Sequence, residues 1–365
     1  MSMLKSGLLT GAIFALAIGQ VCARELTYSN HLPPAHPVNK AMEGYFAGIR
    51  DKTGGELDFQ MFVAGALGGG KALLSNLRDG LADTGMLNPV YDPSELKVES
   101  LLAELMVADP KVLVGAMNEM VNLDCAGCTA ELREVNAVPM MSFAVPSFQL
   151  LCNRPVKSMA DAAGVKVRAV GSLSLIATTF GMVPVNLTSD EVYEGLQRGQ
   201  IDCAAAPFDW LRTNNLAEVT TDLIEDPLGA IGGLLHFAVN AYVWDELSAE
   251  ERAILIDGLG KTLAEMTFAY AKGSADALAA AREGGAAVYP LGEDMAKALA
   301  DFRAAEVGRI VAKAKEAGVE DADGLFDRYD ALLDKWTGIV AEVGADEAAY
   351  AAALDREIFS KMPAE

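Results

Sequence analysis

Short strand-like runs, turn-rich loops and amphipathic segments alternate from Leu26 onward, and that rhythm admits few folds. Residues 26–29 read as a strand, and Asn30-His-Leu-Pro-Pro-Ala-His-Pro37 as a turn-rich loop. Residues 38–51 then place Met42, Phe46 and Ile49 on one helical face. Thr53-Gly-Gly55 breaks that helix, residues 57–63 alternate as a strand does, and Gly65-Ala-Leu-Gly-Gly-Gly70 turns into a helical run over 71–81. Thr84-Gly-Met-Leu87 and Asn88-Pro89 supply a further strand and loop. Repetition of strand, loop and helix predicts an α/β architecture.

A second α/β unit begins near Pro139. Residues 142–153 are apolar and β-prone, Ser158-Met-Ala-Asp161 caps a short helix, and 165–170 read as a strand. Residues 173–180 are helix-like, Thr188-Ser-Asp-Glu191 caps a helix through Gln197, and Ile201-Asp-Cys-Ala-Ala205 is the next strand. Pro207 opens a loop carrying Phe208, Asp209 and Trp210. After one more strand over 234–240, Ser248-Ala-Glu-Glu251 caps a helical run to about Gly284, roughly 36 residues and longer than an ordinary globular helix. A helix reaching across two domains explains that length. Residues 293–362 continue as helices.

The N-terminus addresses the compartment. Lys5 is the only charge before Arg24, an apolar run fills 8–21, and Val21-Cys22-Ala23 ends in a small residue. This is a secretory leader cleaved near Ala23, too short for the ~20 apolar residues of a span. Gly-Gln-Val before Cys22 is a poor lipid-attachment sequence. The mature chain is expected in the periplasm.

Acidic residues outnumber basic ones 51 to 29, a net charge of −22. Such a surface repels nucleic acid and anionic lipid and favours a soluble monomer. An anionic ligand needs a local cation against that field, so any buried arginine matters. Four cysteines survive cleavage, Cys125, Cys128, Cys152 and Cys203. In an oxidising compartment they are read as structural bridges, Cys125–Cys128 and Cys152–Cys203. Cys125-Ala-Gly-Cys128 also admits a secreted thiol/disulfide oxidoreductase, though it lacks the preceding strand of that motif.

Gly65-Ala-Leu-Gly-Gly-Gly-Lys71-Ala72 nearly matches a phosphate-binding loop, but Ala72 lacks the hydroxyl that holds magnesium. Close backbone approach to a ligand or to a partner domain is the better account. His31, His36 and His236 have no zinc spacing and no Ser/His/Asp arrangement stands out, so neither a metal, a cofactor nor enzyme chemistry is expected.

The informative segment is Gly164-Val-Lys-Val-Arg168, followed by Gly181-Met-Val-Pro-Val185, Glu191-Val-Tyr193 and Leu196-Gln-Arg-Gly-Gln-Ile-Asp202. In order and spacing it resembles the substrate-binding proteins of TRAP (tripartite, ATP-independent) transporters, the DctP-like family. His36-Pro37, Thr53-Gly-Gly55, Ala64-Gly-Ala-Leu-Gly68, Asn240 and Trp244-Asp-Glu-Leu247 add further matches. The resemblance implies a two-lobed periplasmic-binding-protein fold with a ligand cleft between the lobes and a long helix spanning both. Lobe I is expected over 24–145 plus about 233–270, and lobe II over 146–232 plus about 271–365 with the helical tail. It implies that Arg168 grips a ligand carboxylate, that the closed receptor docks on small and large membrane subunits, and that an ion gradient drives uptake. A guanidinium fork matches a planar carboxylate better than a lysine does.

The chain departs from the family pattern at Ala206, where an Asn is common, and at Phe148, where sugar-acid binders carry a basic residue. The ligand is therefore expected to have one carboxylate and an apolar, aromatic or branched body. Phe148, Phe208 and Trp210 are candidate walls, Asn88, Tyr91, Asp209 and His36 candidate polar contacts, and the loops His31–His36, Asn88–Tyr91 and Gly68–Gly70 match ligand-facing positions loosely. A ligand sensor for a signalling kinase and an ABC-type binding protein remain the other readings.

Overall fold

The computed structural model describes residues 23–107 and 109–363, the side chains of 234–236 excepted. The leader expected before Ala23 lies outside these residues. Among the described residues no helix is long and apolar enough to cross a membrane.

The first unit follows the expected alternation: β1 (Arg24–Ser29), α1 (Pro37–Lys52), β2 (Leu57–Phe62), α2 (Leu73–Arg78) and β3 (Thr84–Leu87). His36 starts α1 by accepting the Val38 N–H on Nδ1, and Pro37 fits a first turn that needs no N–H. Met42, Phe46 and Ile49 are buried, and Phe46 stacks on Phe59 of β2 at 4.1 Å. Next come α3 (Lys97–Leu102), β4 (Met106–Val107), α4 (Pro110–Glu119), α5 (Ala126–Glu134) and the long strand β5 (Ala137–Cys152). The second unit is α6 (Met159–Ala162), β6 (Lys166–Arg168), α7 (Ser172–Thr179), β7 (Val183–Val185), α8 (Val192–Gln197), β8 (Cys203–Ala206) and α9 (Trp210–Thr213). A second long strand, β9 (Asp222–Asn240), then leads to α10 (Ala241–Glu246), α11 (Ala249–Ile256), α12 (Leu259–Glu283) and β10 (Ala287–Tyr289). Four helices close the chain: α13 (Glu293–Ala304), α14 (Glu306–Glu316), α15 (Ala322–Val343) and α16 (Glu347–Glu357).

The strands form one sheet in the order β2-β1-β3-β9-β5-β8-β6-β7, with β4 and β10 also on β9. β1 is parallel to β2 and β3, and β6 is parallel to β7 and β8. Between these parallel halves run β5 and β9, antiparallel to each other. Their first-unit halves pair 137–145 with 231–240, and their second-unit halves pair 148–152 with 222–229. The register slips between Pro139 and Leu150, where Pro146 offers no N–H and Gly229 and Gly233 take φ of +131° and +68°. Those residues hid half of β9 from a sequence reading, which finds a strand only over 234–240.

The helical run over 248–284 is two helices. Ser248 and Glu251 form the expected capping box, but Gly258, at φ +99°, ends α11 and restarts the chain as α12. At 25 residues α12 is roughly 38 Å long. It packs on α1 and β5 and reaches α9, where Gly273 lies against Asp209 with no room for a Cβ. Of the tail, expected with the second unit, α13 packs on α7 there, whereas α15 packs on α4 of the first unit and α16 on α12. Trp336 of α15 fills the space at Gly115 of α4 and donates to Glu119 at 2.8 Å, and α16 packs on α12 at Gly260. α14 returns to the junction, where Arg309 and Lys313 hold the buried Glu104.

Both bridges are formed. Cys125–Cys128 caps α5 and Cys152–Cys203 ties β5 to β8 at paired positions. All four cysteines are buried, which disfavours thiol exchange at Cys125–Cys128. Loop-closure entropy gives the 51-residue bridge roughly 4 kcal/mol and the three-residue one under ~2. The Cys152→Ala/Cys203→Ala pair should therefore lower Tm clearly more than Cys125→Ala/Cys128→Ala in calorimetry; an equal or smaller drop would contradict this assignment.

Glu306 opens α14 almost fully buried, and its Oε1 has no partner among the described residues. Burial raises its pKa from 4.5 to about 7, against the lowering pull of Arg309 and the Met106 N–H. The folded protein thus keeps a proton that the unfolded chain releases near 4.5. Its contribution to stability falls as pH rises from about 4.5 to about 7 and is flat above. Glu306→Gln should match wild type in Tm near pH 4.5 and exceed it at pH 8. A constant Tm difference across that range would remove Glu306 from the account.

Candidate functional site

Parallel strands aim their carboxyl ends at one place, and the loops that leave those ends build the site. From the first unit, His31 follows β1, while Asn88 and Tyr91 follow β3. From the second, Arg168 ends β6, Ser189 follows β7 and Trp210 follows β8. Val145 and Phe148 come from the slipped stretch of β5, and Tyr270 from α12. Together with His36 these residues line one small cavity. Larger and more open hollows lie along α12, and the arginine that lines both, Arg212, is paired with Asp209.

Arg168 is 2 % exposed. Its Nε donates to the Leu187 carbonyl at 2.9 Å, Nη1 to the Ala205 carbonyl at 3.2 Å, and Nη2 to the Tyr91 hydroxyl at 3.4 Å. Its guanidinium lies 5.3 Å from the centre of the Trp210 ring. Among the described residues no carboxylate comes within ion-pair distance. Burial lowers its pKa below the ordinary value, offset by Tyr91, Asp190 and Glu191, and an arginine stays cationic. Of five N–H groups three are used, leaving one on each terminal nitrogen. A buried cation with only neutral partners is costly unless an anion completes it.

The surrounding groups are neutral. Burial takes the His31 pKa down to about 4, with Arg168 adding to the drop and Asp190 opposing it, and takes His36 down to about 3, aided by His31 and Arg212. Tyr91 Oη accepts from both Arg168 and the Ser189 N–H, so its own proton is free to give. Tyr270 Oη accepts from Trp210 Nε1 at 2.7 Å and is likewise free to donate. Phe148 meets Trp210 edge to face at 6.3 Å and supplies an apolar wall.

The two units touch across this cavity. His31 Nε2 is 2.8 Å from Ser189 Oγ, and Lys71 Nζ is 3.4 Å from Glu191. A Cβ on Gly70 would lie 2.9 Å from the Tyr91 ring and 3.2 Å from Thr188, and one on Gly69 2.7 Å from Asp190. The glycine-rich loop thus meets the facing unit, not the cavity, which corrects the looser expectation that it faces a ligand.

Six of the expected contacts line the cavity: Arg168, Phe148, Asn88, Tyr91, Trp210 and His36. Two do not. Phe208 is buried in the core outside the lining, and the fully buried Asp209 pairs with Arg212 at 2.9 Å against α12. Residues just past Pro207 turn into α9, so only Trp210 faces inward. His31 lies in the loop that matched ligand-facing positions loosely, while Ser189 and Tyr270 were missed. Ser189 read as part of a helix cap, and Tyr270 as core of a long helix; only tertiary packing brings them here.

The family described as bacterial extracellular solute-binding protein, family 7 (DctP) matches residues 28–313. The chain is 24 % identical over 224 residues to the 2,3-diketo-L-gulonate-binding periplasmic protein YiaO of Escherichia coli K12, covering 58 % of this chain and 65 % of that one. It is 31 % identical over 145 residues to the C4-dicarboxylate-binding periplasmic protein DctP of Rhodobacter capsulatus, covering 39 % and 41 %. The matched stretches thus span less than two thirds of either relative. Its fold is similar to a TRAP solute-binding protein of Rhodoferax ferrireducens T118 in complex with copurified benzoate (TM-score 0.77, 20 % identity, 87 % of this chain and 100 % of that one). It is also similar to one from Bordetella bronchiseptica with bound (R)- and (S)-mandelate (TM-score 0.74, 21 % identity, 86 % and 99 %). Motif order, two parallel half-sheets joined by β5 and β9, and the family match over most of the chain agree: this chain belongs to the DctP family of bacterial extracellular solute-binding proteins.

Proposed function

We propose that the protein is the periplasmic receptor of a TRAP transporter, binding a small organic carboxylate with an apolar or aromatic body through Arg168. The observation that carries this reading is the buried Arg168 guanidinium with two unused N–H groups and no anionic partner. Trp210 and Phe148 offer the apolar wall, and similar folds hold benzoate or mandelate. A family of solute-binding proteins supports a receptor over an oxidoreductase.

Lobe I comprises 24–145 and about 233–270, lobe II 146–232 and the chain from about 271 to the end of α14, with α15 and α16 packed beside lobe I. Closure buries the ligand, and the ordering and desolvation costs are offset by the Arg168 pair and apolar burial. The ligand favours the closed form only through its higher affinity for that form. The closed receptor, a monomer after leader cleavage near Ala23, then docks on the small and large membrane subunits, and an ion gradient drives uptake.

Thermal-shift and calorimetric screening of small carboxylates tests the site. At a hundred times Kd a ligand adds about 2.7 kcal/mol, a shift of a few degrees. Arg168→Ala should weaken any hit by about 100-fold or more, and Arg168→Lys should fall between, since it keeps charge but loses the fork. A carboxylate bound equally by wild type and Arg168→Ala would end the proposal.

Gly70 supplies a separate check on closure. Gly70→Ala places a methyl between Tyr91 of its own lobe and Thr188 of the other, and only the second contact is made when the lobes meet. Overpacking of this kind costs about 1–3 kcal/mol, so affinity should fall by about tenfold, beyond whatever the methyl costs the unliganded Tm through Tyr91. Unchanged affinity would mean that the loop does not govern closure.

A further inference from the structure

We infer that the cavity selects a monocarboxylate carrying one neutral hydrogen-bonding group, a hydroxyl or an amide, and rejects dicarboxylates and amino acids; this rests on the reading of Arg168 as the carboxylate grip. The inference comes from polar atoms that the protein leaves unpaired. Asn88, at the carboxyl end of β3, is 6 % exposed and lines the cavity, yet its side chain has no hydrogen-bond partner among the described residues. Its Oδ1 is fully buried and unpaired. His31 Nδ1, on the same wall, is also buried and unpaired. An unmet buried polar group costs about 1–3 kcal/mol, and native structures rarely keep two in the lining of one cavity. A side-chain amide offers both a donor and an acceptor, so a ligand hydroxyl or amide satisfies it where an apolar group does not. The His31–Ser189 pair can exchange donor and acceptor roles by changing tautomer, which lets Nδ1 serve either kind of group.

Charge sets the second limit. Arg168 is the one cation lining the cavity among the described residues, and no carboxylate lines it. The two histidines there are held neutral at pH 7 by burial. A second ligand carboxylate would be buried without a counter-charge, at a cost that removes binding. An ammonium would fare no better: Asp209 lies behind Trp210 on Arg212, and Asp190 is exposed to solvent.

Matched acids separate these claims by isothermal calorimetry on the mature protein. One series is phenylacetate, mandelate, phenylmalonate and phenylglycine; the other is propionate, lactate, malonamate, malonate and alanine. In at least one series the hydroxy or amide acid should bind about tenfold tighter than its unsubstituted parent. The diacid and amino acid of that series should bind at least about 30-fold more weakly than the hydroxy acid. Asn88→Ala should erase the preference for the hydroxyl while keeping the affinity for the parent acid. A diacid or amino acid that binds as tightly as the hydroxy acid, a parent acid that matches it, or no binding by any hydroxy or amide acid overturns the inference. Loss of every bound acid in Arg168→Ala keeps the carboxylate-receptor reading intact through such a failure. Binding that survives in Arg168→Ala brings down that reading and this inference together.

Discussion

Everything in this molecule hangs on the antiparallel pairing of β5 with β9. Among the described residues these two strands alone run through both half-sheets, and each serves the first unit with one end and the second with the other. Ladder hydrogen bonds hold the ends firmly, whereas proline, glycine and register slips loosen the middle. The loosened stretch also supplies Val145 and Phe148 to the cavity. Floor of the site and link between lobes are thus one piece of backbone. Cys152–Cys203 pins β5 to β8 at the far end, and α12 spans the junction from α1 to α9.

The site reverses the charge of the protein around it. A surface of net charge −22 repels an organic acid in bulk, yet the cavity presents a single guanidinium backed by carbonyls, a phenol and the Trp210 ring. Neutral dipoles hold Arg168 in place without neutralising it, so its charge remains for a ligand. Tyr91 belongs to this arrangement twice. Its hydroxyl accepts from Arg168 and from the Ser189 N–H, and its ring rests on Gly70. One side chain of the first unit thereby touches the cation and the Ser189 backbone of the second unit and the glycine-rich loop of its own.

Much of the fold was legible because its signals are local. The Ser158 and Ser248 caps, the alternation of strand and helix in 26–87, and the Thr188–Glu191 box rest on signals close in sequence, and each is formed. What escaped depends on distant partners. Pro227 and three glycines in β9 look like a loop until β5 is laid beside them, and Gly258 splits a helix that apolar periodicity alone would continue. The tail helices read correctly as helices, but their docking on α4 and α12 is set by Trp336 and Gly260 meeting residues far away in sequence.

The candidate site divides the same way. The sequence alone determined the alternating α/β plan and the motif that singles out Arg168, because periodicity and spacing are properties of neighbouring residues. Tertiary structure alone decided which side chains meet that arginine. Asp209 and Trp210 are adjacent in sequence, yet a helical turn sends the carboxylate to Arg212 and the indole to the cavity. His31, Ser189 and Tyr270 come from a loop, a cap and a long helix, and only the closing of two half-sheets over β5 and β9 brings them within reach of one another.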